Sequence, residues 1–420
     1  MRGILAGIGT RFKTRSGRLW CPAMASPVAE RAPAGAIDLL DGSLYAGDPD
    51  PTYAWLRRNA PVYRDEVNSL WGVSRYDDIV AVEKDPATFC SSEGYRPNLP
   101  ADDSMIGNDD PRHNERRRLV ARRFTPKAVA AHEAAVRDLA RGLVESVLER
   151  GHCEVVEELA APLPAMVIAR LLGFDNDQWP RVKYWSETTI LAGGGPRYMA
   201  DAVTEAFGDY CEHAARLIEA RRSTPADDVM SLWTRAEADG AMTLDQVLSE
   251  GLLLVDGGAE TTRTVITGAV LALIEHPEEY QRLLDDPILL PVAVEEFIRW
   301  VTPIVNMRRT AARDTEIAGT PVKAGDEVLL MYPSANRDES VFDAADRFDV
   351  GREPNAHIAF GFGTHFCLGA ALARLEIRVM FEELLPRLRN LRLATGTAPE
   401  RIPNAFVRGF RSLHVEFDAA

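Results

Sequence analysis

The sequence predicts a mainly α-helical protein with small β-sheets, folded as a single large domain. Three observations predict it. Apolar residues recur with a helical period over 111–123, 127–150, 154–173, 200–222, 243–275, 277–285, 289–301 and 367–385. Short runs of β-type residues are confined to 60–76, 315–332 and the C-terminal 411–417. No internal repeat, Gly/Ser run or Pro-rich linker divides the 420 residues.

Bulk composition narrows the function. A formal charge of −15 argues against general nucleic-acid binding. Cys21, Cys90, Cys153, Cys211 and Cys367 are scattered and odd in number, with no CxxC pair. A disulfide framework or a zinc site is therefore not expected, and a reducing cytoplasm is. The most apolar stretch, GLLLVDGGAETTRTVITGAVLALI, is interrupted by Asp256, Glu260 and Arg263, so no membrane anchor is expected. The first 29 residues hold no Asp or Glu but carry Arg2, Arg11, Lys13, Arg15 and Arg18. That composition imitates a transit peptide; the plainer reading is a disordered leader over 1–36, with Met24 an alternative start. Folded structure is expected over 37–420.

The helix of 111–123 lies in NDDPRHNERRRLVARRF. Asp110 suits an N-cap and Pro111 the first helical position. His113 and Arg117 are four apart and share a face. With Arg112, Arg116, Arg118, Arg122 and Arg123 this is the most basic stretch of an acidic chain. It reads either as a solvated charged face, or as an inner face that neutralises buried anions and an outer face that docks an acidic partner.

The longest helix opens on TLDQ, where Thr243 and Gln246 fit a capping box, and Pro277 ends it. About 33 residues span roughly 50 Å, so the middle lies in the core. That middle reads DGGAETT. Two interior glycines each cost about 1 kcal/mol relative to alanine, and a buried carboxylate costs more unless partnered. Either another helix crosses closely here, or the helix opens locally with Glu260 and Thr261 facing a pocket. In PVAVEEFIRW, Glu296 and Arg299 share a face; alone they read as a surface ion pair.

The segment FGFGTHFCLGAALARLEI places Cys367 where a helix begins, a position that favours thiolate. Gly361 and Gly363 allow a tight turn and close approach to something flat. A cysteine nucleophile remains open at this point, with His365 as its base; further zinc ligands are absent.

FGFGTHFCLG closely resembles the haem-binding signature of the cytochrome P450 family. Its companions follow in the family's order. EEFIR resembles the ExxR motif, FDVGR its third member Arg352, GGAETT the oxygen-activating element, and DDPRHNERRRLV the haem-propionate helix. The resemblance extends from about residue 37 to the end. It implies the P450 fold, with a long helix over haem b, and Cys367 as the iron ligand. Phe360 would shield the sulfur, and amides after it, at Gly369, would tune it. His113, Arg117, Arg309 and His365 match positions that hold the haem propionates, with Arg308 the competitor to Arg309. Glu296, Arg299 and Arg352 would stabilise the fold. Glu260 and Thr261 match the acid–alcohol proton relay, and Gly257 stands where alanine is commoner.

The implied activity is monooxygenation with O2, using electrons from NAD(P)H passed through ferredoxin reductase and ferredoxin to a cytoplasmic monomer. The outer face of the 111–123 helix is the candidate docking surface. Expected pocket-lining stretches are 91–100, 252–259, 303–306 and Phe406–Val407, apolar with few charges, which suits a lipophilic small-molecule substrate. Other stretches are similar to bacterial sterol side-chain hydroxylases, implying a steroid, terpenoid or fatty-acyl substrate. The alternative is a non-catalytic haem-thiolate sensor, for which replacing Thr261 by alanine would leave NAD(P)H coupling untouched. A cysteine hydrolase would be colourless when pure, and a peroxygenase would lack the acid–alcohol pair.

Overall fold

The computed structural model describes residues 35–419. The leader expected over 1–36, with Cys21 and Met24, lies almost wholly outside the described residues. The expected class holds: helices dominate, and the sheets are small and peripheral.

The helix Leu244–Glu275 runs unbroken for 32 residues, about 48 Å. Its capping box is formed: Gln246 N donates to Thr243 Oγ1 at 3.3 Å and Thr243 N to Gln246 Oε1 at 2.8 Å. The C-terminal half is buried almost all round, with Val265, Ile266, Ala269 and Val270 each at most 3% exposed. It crosses the helices Pro162–Leu172, Trp179–Thr189 and Leu290–Val301, which join it in one large apolar core.

The two readings of its glycine pair prove to belong to different residues. A Cβ on Gly258 would collide with Ile168 of the crossing Pro162–Leu172 helix, whereas one on Gly257 would meet nothing within 4 Å. Gly258 permits a close helix crossing; Gly257 faces open space. The close crossing is the reading that holds; the helix stays unbroken through this segment.

Boundaries differ from the periodicity in several places. The 127–150 pattern resolves into Pro126–Ala130 and Glu133–Leu148. The last helix is Ala370–Leu384, so Cys367 precedes it by three residues instead of starting it. Asp110 does not cap its helix, Arg112–Val120, which has no side-chain cap. Asp109 instead accepts from the backbone amides of Ser91 and Ser92, at 2.8 and 3.1 Å. The helices Asp50–Asn59, Tyr76–Lys84, Trp179–Thr189 and Val229–Ala238 were not legible as periodic segments.

The largest sheet has the strand order Val62–Asp65, Leu70–Val73, Glu327–Leu330, Met307–Ala311, Phe89–Cys90. The β signal of 60–76 is borne out as an antiparallel pair of strands that sets Val62 opposite Val73. Met307–Ala311 pairs antiparallel with Glu327–Leu330 and sets Arg309 opposite Val328. Adjacent strand residues point to opposite faces, which separates Arg308 from Arg309.

Glu296, Arg299 and Arg352 form the buried cluster the motif implies. Arg299 grips Glu296 at 2.7 and 2.8 Å, and Arg352 Nε reaches it at 3.1 Å. Glu296 and Arg299 are 0% exposed, so the surface-pair reading fails. Remaining guanidinium hydrogens reach the carbonyls of Asn336, Ala345 and Asp343. None of the three residues lines the cavity described next.

Candidate active site

Between the long helix and the Cys367 loop lies a cavity enclosing about 1600 Å³ of atom-free space, part of it open to solvent. The loop is shaped by Gly361 and Gly363, at φ +70° and +68°, a region that favours glycine. A Cβ on Gly363 would also meet the carbonyl oxygen of Glu83 at 2.6 Å, so this glycine serves the packing of the loop on the Tyr76–Lys84 helix. The turn closes when Cys367 N donates to the Phe360 carbonyl at 2.9 Å. Arg374 stacks over the Phe360 ring at 4.6 Å.

Cys367, Phe360 and Gly369 all line the cavity. Burial pushes the Cys367 thiol up from its ordinary value, against the amides of Gly369 and Ala370 and the charges of Arg117 and Arg374. The expected thiolate preference is therefore not a property of the chain alone. The helix begins too far on, and desolvation outweighs the local dipoles.

His113, Arg117, Arg309 and His365, drawn from three separate stretches of sequence, meet on one side of the cavity. His113 Nδ1 lies 2.8 Å from the Met105 carbonyl, which leaves Nε2 buried and without a partner. The His365 ring sits 4.2 Å from that of His113, its Nε2 3.2 Å from Ser91 Oγ and its Nδ1 also orphaned. Arg117 donates to the Phe366 carbonyl at 2.7 Å, and Arg309 lies 3.4 Å from Glu83. Burial, then Arg309, His113 and Arg117, push His365 down to about 2. Its Nε2 faces Ser91 Oγ and its Nδ1 has no partner, so His365 is not paired with the Cys367 thiol as the base of a cysteine nucleophile would be. Arg308 turns the other way, to Glu327 and the carbonyls of Glu93 and Leu99.

On the opposite wall the long helix presents Gly257, Gly258, Thr261 and Val265. Thr261 Oγ1 donates to the Gly257 carbonyl at 2.7 Å, which leaves its lone pairs free. Glu260, expected beside it, does not line the cavity. Its carboxylate is buried against Arg263 at 2.8 Å, with Oε1 unpartnered. Burial pushes Glu260 up to about 7 against the Arg263 charge. Arg263 continues to Glu187 at 2.5 Å, and Glu187 to Lys183 at 2.7 Å.

The expected pocket stretches contribute Tyr95, Arg96, Leu253, Ile304 and Phe406; Val407 lies in the core behind. Sequence reading missed Ile168, Ile190 and Met307, which reach the cavity only through the packing of their elements. It missed Glu83 because the helix carrying it was not recognised. The few charges expected in those pocket stretches include Asp256 and Arg96, and both line the cavity. The basic helix needs correction too. Arg116 is buried, 3.4 Å from Glu250 and 3.3 Å from Asp103, and Arg123 pairs with Asp227. Arg112, Arg118 and Arg122 are exposed.

A thiol on one wall, orphaned buried imidazoles and guanidinium groups along one side, and apolar surfaces elsewhere fit a flat, anionic, metal-bearing macrocycle. Residues 196–416 match the family model described as Cytochrome P450. The chain is 42% identical over 387 residues to the steroid C26-monooxygenase of Mycobacterium tuberculosis, covering 91% of this chain and 97% of that one. It is 40% identical to the methyl-branched lipid omega-hydroxylase of Mycobacterium bovis, covering 87% and 90% of the two chains. Among solved structures it resembles CYP268A2 of Mycobacterium marinum in complex with pseudoionone (TM-score 0.84, 33% identity, 93% and 100% covered). It also resembles CYP109E1 of Bacillus megaterium in complex with testosterone (TM-score 0.83, 32% identity, 90% and 99% covered). The chain belongs to the cytochrome P450 family. It is a monooxygenase with a haem-iron cofactor.

Proposed function

We propose that this protein hydroxylates a terminal carbon of the aliphatic chain of a steroid or methyl-branched lipid, using haem b, O2 and electrons delivered by ferredoxin and its NAD(P)H-dependent reductase. The observation that carries the reading is the cavity itself. An apolar space lined by Leu253, Leu254, Ile190 and Ile304 lies between Thr261 on one wall and Cys367 on the other. The names of both relatives point the same way: omega denotes a chain end, and C26 lies at the end of a steroid side chain.

In this reading Cys367 is the iron ligand and Phe360 shields its sulfur, with the Gly369 amide donating to it. His113, Arg117, Arg309 and His365 hold the two propionates, which would give the orphaned His113 Nε2 and His365 Nδ1 their partners. When bound, the haem supplies the dioxygen and redox chemistry. Thr261 Oγ1 holds a proton at the cavity wall. Glu260, pushed up by burial, is the proton store behind it; Arg263, permanently charged and held by Glu187, positions that carboxyl and carries no proton itself. The exposed Arg112, Arg118 and Arg122 form the ferredoxin-docking face, without Arg116 and Arg123.

The test is a Soret-band titration with steroids and methyl-branched lipids, followed by turnover with a ferredoxin and reductase and location of the new hydroxyl by mass spectrometry. A terminal alcohol is expected. Hydroxylation only at ring or mid-chain carbons would refute the terminal preference.

A further inference from the structure

One polar arrangement in the cavity is left unused by the roles above. Asp256 stands on the long helix directly before Gly257 and is buried. Arg96 comes from the 91–100 loop, with Nη2 3.7 Å from Asp256 Oδ2, and both residues line the cavity. The guanidinium lies over the rings of Tyr95 and Phe406, at 5.1 and 5.6 Å. A separation of 3.7 Å is too long for a direct hydrogen bond. Asp256 takes a short bond from Thr189 Oγ1 at 2.5 Å, but that single hydroxyl hydrogen also has the Trp185 carbonyl within 2.7 Å. Donor capacity on Arg96 and acceptor capacity on Asp256 are therefore both unspent. Burial also pushes Asp256 up to about 7 against the Arg96 charge, so the carboxyl is not locked as an anion.

We propose that Arg96 and Asp256 together recognise a hydroxyl group on the substrate, whose oxygen accepts from Arg96 and whose hydrogen is donated to Asp256. The proposal rests on the lipid-hydroxylase reading and adds a specificity rule to it. A hydroxyl satisfies both partners and keeps the site neutral. A ketone or aldehyde only accepts and leaves Asp256 as it was. A carboxylate sets a second anion beside the first. Asp256 lies five residues before Thr261, about 7.5 Å along the helix axis. The recognised hydroxyl thus belongs to the part of the substrate near the oxidised carbon, not to its far end. A site built to hydrogen-bond a substrate hydroxyl discriminates strongly against the analogue lacking it, because its own polar groups are then left unpaired.

The holoenzyme is titrated with a dimethyloctane and the corresponding primary alcohol, aldehyde and carboxylic acid, read by Soret displacement and independently by calorimetry. The alcohol is expected to bind about tenfold tighter than the alkane, and tighter than aldehyde or acid. In Asp256→Val and in Arg96→Met the alcohol-to-alkane ratio falls to about one while alkane affinity holds. Equal binding of alcohol and alkane by the wild type, or a ratio that survives both substitutions, overturns the pair alone. Tighter binding of the acid overturns the hydroxyl assignment in favour of an anion. Failure of all four probes to bind overturns the lipid reading and the pair with it. Should neither variant fold, the wild-type series decides.

Discussion

On the side of the cavity that carries Cys367, imidazoles with orphaned nitrogens and guanidinium groups gather: His365 on the loop whose glycines fix its turns, His113 and Arg117 on the Arg112–Val120 helix, and Arg309 on a strand. Across from it the long helix carries carboxyls pushed up by burial: Asp256 lines the cavity, while Glu260, about one turn on, and Glu250, between one and two turns before Asp256, lie behind that wall. The first wall brings a thiol, guanidinium groups and unpartnered ring nitrogens together. The second carries carboxyls whose charged form burial disfavours. Each wall also resolves its backbone problem differently. The loop uses glycines at positive φ, whereas the helix uses glycine for space, at Gly258 for a neighbour and at Gly257 for the cavity.

The sharpest way to break this contrast is to remove the thiol. Cys367→Ser should abolish the red-shifted Soret band of the reduced carbon monoxide complex, and with it hydroxylation. A variant retaining that band would place the iron ligand elsewhere.

Next in size is the scaffold beneath the loop. Arg299→Leu leaves Glu296 buried with one guanidinium fewer, and breaking such a pair costs about 3–5 kcal/mol. Denaturant unfolding should show the loss directly, together with reduced haem retention. A loss under about 1 kcal/mol would mean that the cluster is relaxed by water.

The two glycines of the opposite wall separate packing from space. Gly258→Ala forces Ile168 or its helix to shift and should cost about 1–3 kcal/mol. Gly257→Ala meets no atom and should gain up to about 1 kcal/mol from helix propensity, while narrowing the cavity. Thermal unfolding of the pair checks the order. Equal effects would contradict the assigned crossing.

The smallest effect concerns protons. Burial pushes Glu250 up to about 8, against the pull of Arg116. Its folded value is thus above its unfolded value, so the native state holds the proton more tightly. The stability this provides is complete below the unfolded value and is lost as pH rises through the folded one. Between pH 6 and 7 the wild type should lose about 1 kcal/mol relative to Glu250→Gln, which cannot titrate. Parallel stability curves for the two proteins would remove Glu250 from the account.

How much of this was legible in the chain follows from the range of the signals. Capping at Thr243 and Gln246, the long apolar period after it and the glycines around Cys367 are local, and they read correctly. The short helix Tyr76–Lys84 has a weak stripe and gave no sign of Glu83, which packs beneath the loop. Arg116 and Arg118 are equally basic in sequence, yet one is buried against Glu250 and the other is exposed. Glu260 and Thr261 are adjacent, yet one helical step of about 100° sends one into an ion pair and the other to the cavity wall.

By itself the sequence determined the fold class, the long helix, the cysteine loop and the family, because these depend on short-range periodicity and on a rare order of motifs. The tertiary structure alone decided which of the adjacent Arg308 and Arg309, and which of Asp256 and Glu260, faces the cavity, and it brought Arg96 to Asp256 from 160 residues away. Those outcomes depend on strand register, helix rotation and desolvation, which exist only once distant segments have packed together.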